Sequence, residues 1–484
     1  MMSRFLDVAH EPAAYLATGF YVLISLVASG HVVLTKRETR AAIGWIGLIW
    51  LSPLVGTTLY ILLGINRIER KARSLRANKP RAGGRHARRG PASAAAEGPG
   101  VGHLDDLARL IGDVTGRPLL GGNEVTPLVD GDQAYPAMIR AIDEATRSVG
   151  LCSYIFNADR AGTPFVEALS RAVGRGIEVR VLVDDLGARY DWPSVLVALR
   201  RAGVPCAAFL PTLAPGWVPY LNLRNHRKIL VVDGKVGFTG GINIDECHAV
   251  ALGPPHPAHD LHFRIRGPVV ADLQGVFADD WDFATGEVLE GPAWFPAIDP
   301  AGAILARGVA DGPDENRDKL LSAILGALAC ARSSVAIVTP YFLPESVLIS
   351  ALGIAAMRGV QVDIVLPGRN NLALVKWASS ALLAQIIESG CRVWYSPPPF
   401  DHTKLMVVDG MWTFFGSGNW DPRSLRLNFE FNLECYDRPL ATAIDRIIRE
   451  KIRRASPITL EEIRRRSLPI RLRDGLARLL TPYL

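Results

Sequence analysis

Cysteine is sparse in this chain. Six cysteines, Cys152, Cys206, Cys247, Cys330, Cys391 and Cys435, are scattered over 484 residues. No two have CxxC spacing, which excludes the common zinc and dithiol sites. A long chain with few, dispersed cysteines suits a reducing compartment. Charge is missing from two stretches near the start. Residues 12–34 carry no Asp, Glu, Lys or Arg, with His31 the one titratable group near neutral pH, and residues 41–65 carry no charge at all. Each is long enough to cross a bilayer core, which takes roughly 20 residues. A cleaved leader is disfavoured, because only Arg4 precedes the first stretch, offset by Asp7 and Glu11, and a second apolar stretch follows at once. Residues 35–40 allow only a tight connection, so the pair is expected to form a transmembrane hairpin over residues 1–66. Pro53 and Gly56 are kink points of the kind membrane helices tolerate.

What the chain has in excess is basic charge, net +6, together with 49% hydrophobic residues. Arg67, Arg70, Lys71, Arg73, Arg76, Lys79, Arg81, Arg85, Arg88 and Arg89 follow the second apolar stretch. This run outweighs Lys36, Arg37 and Arg40 and favours a cytoplasmic position for what comes after it. Residues 67–105 read as a basic, flexible linker rich in Gly, Pro, Ala and Arg. At this length more than one globular unit is expected beyond it.

One pattern then occurs twice with the same spacing. The first copy is His226-Arg227-Lys228, four residues, Asp233, six residues, Gly240-Gly241-Ile242-Asn243; the second is His402-Thr403-Lys404, four residues, Asp409, six residues, Gly416-Ser417-Gly418-Asn419. His and Lys two apart on a strand share a face. Asp-Gly follows the apolar run in both copies, a hairpin signal. A single imidazole that attacks phosphorus cannot also protonate the group it expels, whereas two imidazoles can divide those tasks. A phosphodiester repels nucleophiles until its anionic oxygens are neutralised. Lys228 and Lys404 supply cations for that, and Asn243, Asn419 and Ser417 supply donors. His226, Lys228, Asp233, His402, Lys404 and Asp409 form the expected catalytic pattern, with Asp233 and Asp409 read chiefly as anchors of their hairpins. Each imidazole also needs an acceptor for its second nitrogen. Glu430, after the second copy, is the natural acceptor there, and Asp260 its counterpart in the first half. No cofactor and no metal are expected. The residues alone leave open which histidine attacks.

Around the motifs, helix and strand patterns repeat. In the first half, helical spacing over 137–147 and 165–173 alternates with strand-like runs at 149–156 and 177–183. In the second, helices over 319–332 and 347–357 alternate with strands at 335–342 and 360–366. Shorter strands are expected near 207–210 and 392–396. This predicts an α/β fold of two pseudo-symmetric βαβ-type halves, 106–300 and 301–445, each a mixed sheet flanked by helices. Residues 446–484 form a basic tail, read either as an amphipathic segment on a bilayer or as a helix capping the second half.

The duplicated motif resembles that of the phospholipase D superfamily over residues 126–438. Within it the chain is similar to the bacterial cardiolipin synthases. Thr339-Pro340-Tyr341-Phe342-Leu343-Pro344, the segment Asn419-Trp420-Asp421-Pro422-Arg423-Ser424 and the apolar hairpin carry that likeness. Trp420 stands where a smaller apolar residue is usual, and Ala258 where the family has an aromatic. The resemblance implies His226 as nucleophile and His402 as general acid and base. It implies transfer of a phosphatidyl group between two phosphatidylglycerols, giving cardiolipin and glycerol, in a multi-pass protein of the bacterial inner membrane. Nucleic acid is not an expected partner. A hydrolytic phospholipase D, or a phosphatidyltransferase using another lipid or alcohol, is the alternative. Trp217, Tyr220 and Phe400 are candidates to line a lipid entry.

Overall fold

The computed structural model describes residues 2–36, 39–64, 100–211, 223–313 and 318–481, in two compact units, Met1–Lys71 and Ala72–Leu484. Most of the basic linker, Trp217 and Tyr220 lie outside the described residues.

The first unit is helical. Helix α1 (Met2–Thr35) is followed by α2 (Thr39–Leu51), α3 (Pro53–Leu59) and a π turn over Tyr60–Gly64. Thr18–Thr35 is long and apolar enough to cross a membrane; Ala41–Leu51 is a shorter apolar helix. The second apolar stretch is therefore two helices rather than one. Pro53 starts α3, since its ring cannot continue α2 but suits a first helical turn. Gly56 then lets α3 pass close to the Leu48 carbonyl, where a Cβ would collide. Within this unit the arms touch: Trp50 Nε1 donates to Ser29 Oγ at 3.1 Å, and His31 Nδ1 and the Tyr60 hydroxyl share a 2.7 Å hydrogen bond.

The second unit is built on one 15-stranded sheet. Half one contributes β1 (Leu120–Val129), β2 (Ser148–Ser153), β3 (Glu178–Asp184), β4 (Cys206–Phe209), β5 (Ile229–Val232) and β6 (Val236–Gly240). It also contributes β8 (Leu261–Arg266); the short β7 (Ala258–His259) just before it lies outside this sheet. Half two contributes β9 (Ile304–Asp311), β10 (Ser334–Val338), β11 (Gln361–Pro367), β12 (Arg392–Ser396), β14 (Leu405–Val408), β15 (Trp412–Gly416) and β16 (Glu430–Tyr436), while the short β13 (Phe400–Asp401) pairs with β7 in a separate two-stranded sheet. From the centre outward the order is β1-β8-β6-β5-β2-β3-β4 on one side and β9-β16-β15-β14-β10-β11-β12 on the other, with β17 (Ser456–Ile458) added at the β12 edge. The halves meet at the antiparallel pair β1–β9. The two wings therefore mirror each other strand for strand, which establishes the pseudo-symmetric α/β fold.

In each wing three strands run parallel, joined by crossover helices such as Thr163–Gly174 and Ser346–Met357. Parallel pairing requires such crossovers. Their apolar faces bury against the sheet in one core per half. The motif strands are the antiparallel hairpins β5–β6 and β14–β15, turned at Asp233-Gly234 and Asp409-Gly410. All four turn residues have φ between 53° and 62°, the left-handed pair of a type I′ turn.

Candidate active site

Each histidine stands just before the strand that carries its apolar run, and each is docked on the opposite half. The backbone N–H of His226 donates to the Phe429 carbonyl at 2.9 Å, and that of His402 to the His259 carbonyl at 2.7 Å. The short strands β7 and β13 reinforce the second contact by parallel pairing. Phe429 and His259 directly precede the carboxylates Glu430 and Asp260. The consequence is an exchange of acceptors. His226 Nδ1 lies 3.1 Å from Glu430, and His402 Nδ1 lies 2.8 Å from Asp260 Oδ2. This corrects the sequence expectation of an acceptor within the same half: the crossed backbone contacts put each carboxylate under the partner half's imidazole.

All four motif cation and imidazole groups are buried, His226 to 9% exposure, Lys228 to 2%, His402 to 8% and Lys404 to 4%. Burial disfavours charge on each of them. His226 is pushed down to about 4, with Glu430 opposing and Lys228 reinforcing the effect. His402 is held well below the usual imidazole range by burial, Lys404 and His248. Burial brings Lys228 down to about 7, with Glu430 opposing and Lys404 adding repulsion, and brings Lys404 to about 8 against the pull of Asp260. Two buried lysines so depressed form a hole that an anion would stabilise.

The two carboxylates diverge. Burial pushes Asp260 up to about 7, opposed by Lys404 and the Leu261 amide. Burial works the same way on Glu430, yet His226, Lys228 and the Ser417 hydroxyl together hold it below the usual carboxylate range. Ser417 Oγ donates to Glu430 Oε2 at 2.5 Å and accepts from the Phe431 amide. Its hydroxyl is therefore engaged by Glu430, which corrects the reading of Ser417 as a donor to substrate phosphate.

Lys228 Nζ donates to the His226 carbonyl at 2.8 Å and lies 5.3 Å from the Tyr154 ring centroid. Lys404 Nζ bonds the His402 carbonyl and sits 3.1 Å from His402 Nε2. Asn243 Oδ1 accepts from the Ile155 amide. Asn419 Nδ2 reaches Ser424 Oγ at 3.2 Å while its Oδ1 is buried without a partner among the described residues.

Asp233 and Asp409 are placed elsewhere. Each stands five residues beyond its lysine, on the order of 16 Å along a strand. Asp233 accepts from the amides of Thr146, Arg147 and Ser148. Asp409 accepts from Arg332, Ser333 and Ser334, and from His103 Nε2 at 2.6 Å. Burial would raise Asp409, but these amides prevail and hold it at about 2. The structure thus removes both aspartates from the reacting set and assigns them to fastening the motif turn to the start of β2 or β10.

His226, His402, Asn243 and Asn419 line one cavity of about 1030 Å³. Sequence reasoning passed over several of its neighbours. Tyr154 meets His226 edge-on at 5.1 Å between centroids, and Tyr341 meets His402 at 6.1 Å. Tyr154 follows β2 and Tyr341 follows β10, the equivalent strand of the other half, so aligning the two copies over a longer stretch would have found them. Arg369 and Arg423 also line the cavity, and so does Phe400, which the sequence offers as a candidate to line a lipid entry. His248, Asp260 and His402 offer ligand atoms within 4.8 Å of one another, but the adjacent lysine charge disfavours a divalent cation there.

With this geometry established, comparison with known proteins is specific. A family model described as cardiolipin synthase, PLD-like domain, matches residues 138–281 and 324–452, which include both motif copies. Cardiolipin synthase A of Pseudomonas putida is 32% identical over 474 residues, spanning 96% of this chain and 97% of that protein. A cardiolipin synthase of Geobacillus kaustophilus is 30% identical over 465 residues, spanning 96% and 92%. Among solved structures, phosphatidylserine synthase of Haemophilus influenzae shares the fold, with a TM-score of 0.62 at 14% identity, covering 78% of this chain and 100% of that one. The chain belongs to the PLD-like cardiolipin synthase family.

Proposed function

We propose that this protein is a cardiolipin synthase, a phosphatidyltransferase that moves a phosphatidyl group from one phosphatidylglycerol to the hydroxyl of another and releases glycerol. The observation that carries this reading is the pair of imidazoles, each held at Nδ1 by the other half's carboxylate, facing one cavity beside two buried lysines.

In the first step the neutral His226, its Nδ1–H donated to the ionised Glu430, attacks phosphorus through Nε2. The bond from phosphorus to the glycerol oxygen breaks, and His402 delivers a proton from Nε2 to that oxygen. In the second step the incoming hydroxyl gives its proton to His402 Nε2 as its oxygen attacks phosphorus, the P–N bond breaks and His226 is restored. His402 needs a proton for the first step although its surroundings disfavour one. The phosphodiester supplies the missing negative charge: it draws Lys404 from His402 Nε2 onto a phosphate oxygen and leaves that nitrogen to take up a proton. Asn243 and Asn419 add donors. Turning the Asn419 amide over would give its orphaned Oδ1 to the Ser424 hydroxyl and point Nδ2 at the phosphate.

Phosphatidylglycerol is the donor and acceptor, cardiolipin the product, and the bilayer the site of action. Both apolar arms of the first unit enter the membrane, and the arginine-rich stretch after residue 65 keeps the catalytic unit on the cytoplasmic side. The test is a product assay. Detergent-solubilised protein given phosphatidylglycerol is expected to yield cardiolipin and one glycerol per turnover. Phosphatidic acid as the sole lipid product would make it a hydrolase instead, and DNA cleavage without lipid turnover would refute the reading.

A further inference from the structure

The basic tail contains a helix, Leu468–Leu479, whose two faces have different tasks. Its inner face packs on helix Ala373–Ser380: Ala477 is buried in a cluster with Leu343, Val375 and Ala378, and the Arg473 guanidinium lies 4.5 Å from the Trp377 ring centroid. Its outer face is a leucine stripe. Leu468, Leu472, Leu476 and Leu479 fall at i, i+4, i+8 and i+11, one side of a helix, and are 65%, 58%, 64% and 67% exposed. Exposed Arg471 and Arg478 flank the stripe. A contiguous apolar stripe left open to solvent marks an interaction surface, and basic flanks suit anionic headgroups.

The position of this helix is informative. Leu372 and Val375, at the start of its partner helix, line the cavity that holds both histidines, as does Arg369. Leu372 and Leu374 are themselves exposed, which adds open apolar surface at the start of the partner helix, beside the cavity. We propose that the outer face of helix Leu468–Leu479 lies in the headgroup layer of an anionic phospholipid bilayer and seats the cavity rim on that surface. This rests on the reading that the substrates are phospholipids. Their acyl chains must otherwise cross water for phosphorus to reach the histidines that line the cavity, and docking the rim removes that path.

The experiment uses the full chain reconstituted in vesicles of phosphatidylglycerol and phosphatidylcholine, compared with the same protein given short-chain, monomerically dispersed phosphatidylglycerol. The double variant Leu472→Asp/Leu476→Asp is expected to lose at least tenfold in cardiolipin formation from vesicles while staying within twofold on the dispersed lipid. Leu472→Phe/Leu476→Phe is expected to retain both activities. Equal losses on both substrates, or no loss on vesicles, would overturn the proposal. So would a change from dimer to monomer on introducing the aspartates, because a second copy would then be the occupant. Wild-type protein that makes no cardiolipin from either form would instead overturn the functional reading on which the proposal rests.

Discussion

In half two, Ser417 donates its hydroxyl to Glu430. In half one the equivalent residue is Gly241, where a Cβ would collide with both oxygens of Asp260. The shorter carboxylate sits closer to its own strand, and no hydroxyl fits beside it. Against burial, His226 and then Lys228 hold Glu430 below the usual carboxylate range, with the Ser417 hydroxyl adding to them, while burial raises Asp260 to about 7 with no such hydroxyl beside it. A duplicated fold has drifted apart at one pair of positions. In the proposed mechanism this difference suits His226 to nucleophilic attack beside a charged carboxylate, and His402 to acid–base work beside one that titrates near neutral pH.

Removing either imidazole should have the largest effect. His226→Ala and His402→Ala are each expected to lower kcat with phosphatidylglycerol by roughly 10³-fold or more, measured as cardiolipin formed, because neither half can do the other's task. The carboxylates then test the asymmetry. Glu430→Gln is expected to cost roughly 10²-fold, as it removes a full negative charge, and Asp260→Asn only about tenfold, as it mimics a state Asp260 already populates. Equal losses in kcat would erase the distinction between the halves.

The lysines should respond alike, and pH reveals them. Their folded pKa values, about 7 and about 8, lie below the unfolded value. They shed protons as pH rises through 7 to 8, whereas binding an anion favours the protonated forms. A non-reacting phosphatidylglycerol analogue should thus bind about tenfold more weakly at pH 9 than at pH 7, with protons taken up on binding. Titration calorimetry in buffers of different ionisation heat measures both; pH-independent affinity would contradict the anion hole. The smallest effects belong to the turn aspartates. Asp233→Ala and Asp409→Ala should each lower stability by about 1–3 kcal/mol with kcat nearly unchanged. Asp409→Ala should cost the more of the two, because it also releases His103. Thermal unfolding beside the product assay separates these outcomes.

Much of the framework was legible because local pattern and repeat agree. The strand read at 392–396 is β12, and the run read at 177–183 falls one residue from β3. The strands that join the halves were not read. β1 contains Gly121, Gly122 and Pro127, residues poor in strand propensity, and its place is set by pairing with β8 and β9. The crossed acceptors were not legible either. His226 and Glu430 are 204 residues apart, and His402 and Asp260 are 142 apart; spacing shows that a carboxylate is needed without showing which half provides it. Ser417 misled for a similar reason. Its hydroxyl meets the Glu430 carboxylate, 13 residues on at the start of β16, a partner the motif spacing does not reveal. The break at Pro53 followed from the chemistry of the ring, whereas the lengths of the two resulting helices depended on packing around Tyr60 and Ile49.

The most direct measurement uses a phosphatidyl ester of p-nitrophenol, whose leaving group departs without a proton. His402→Ala given this substrate should release one equivalent of nitrophenol in a burst and accumulate a phosphatidyl adduct on His226, found by mass spectrometry after an alkaline quench. His226→Ala should show neither. A burst from His226→Ala, or an adduct on His402, would contradict the division of labour between the two halves.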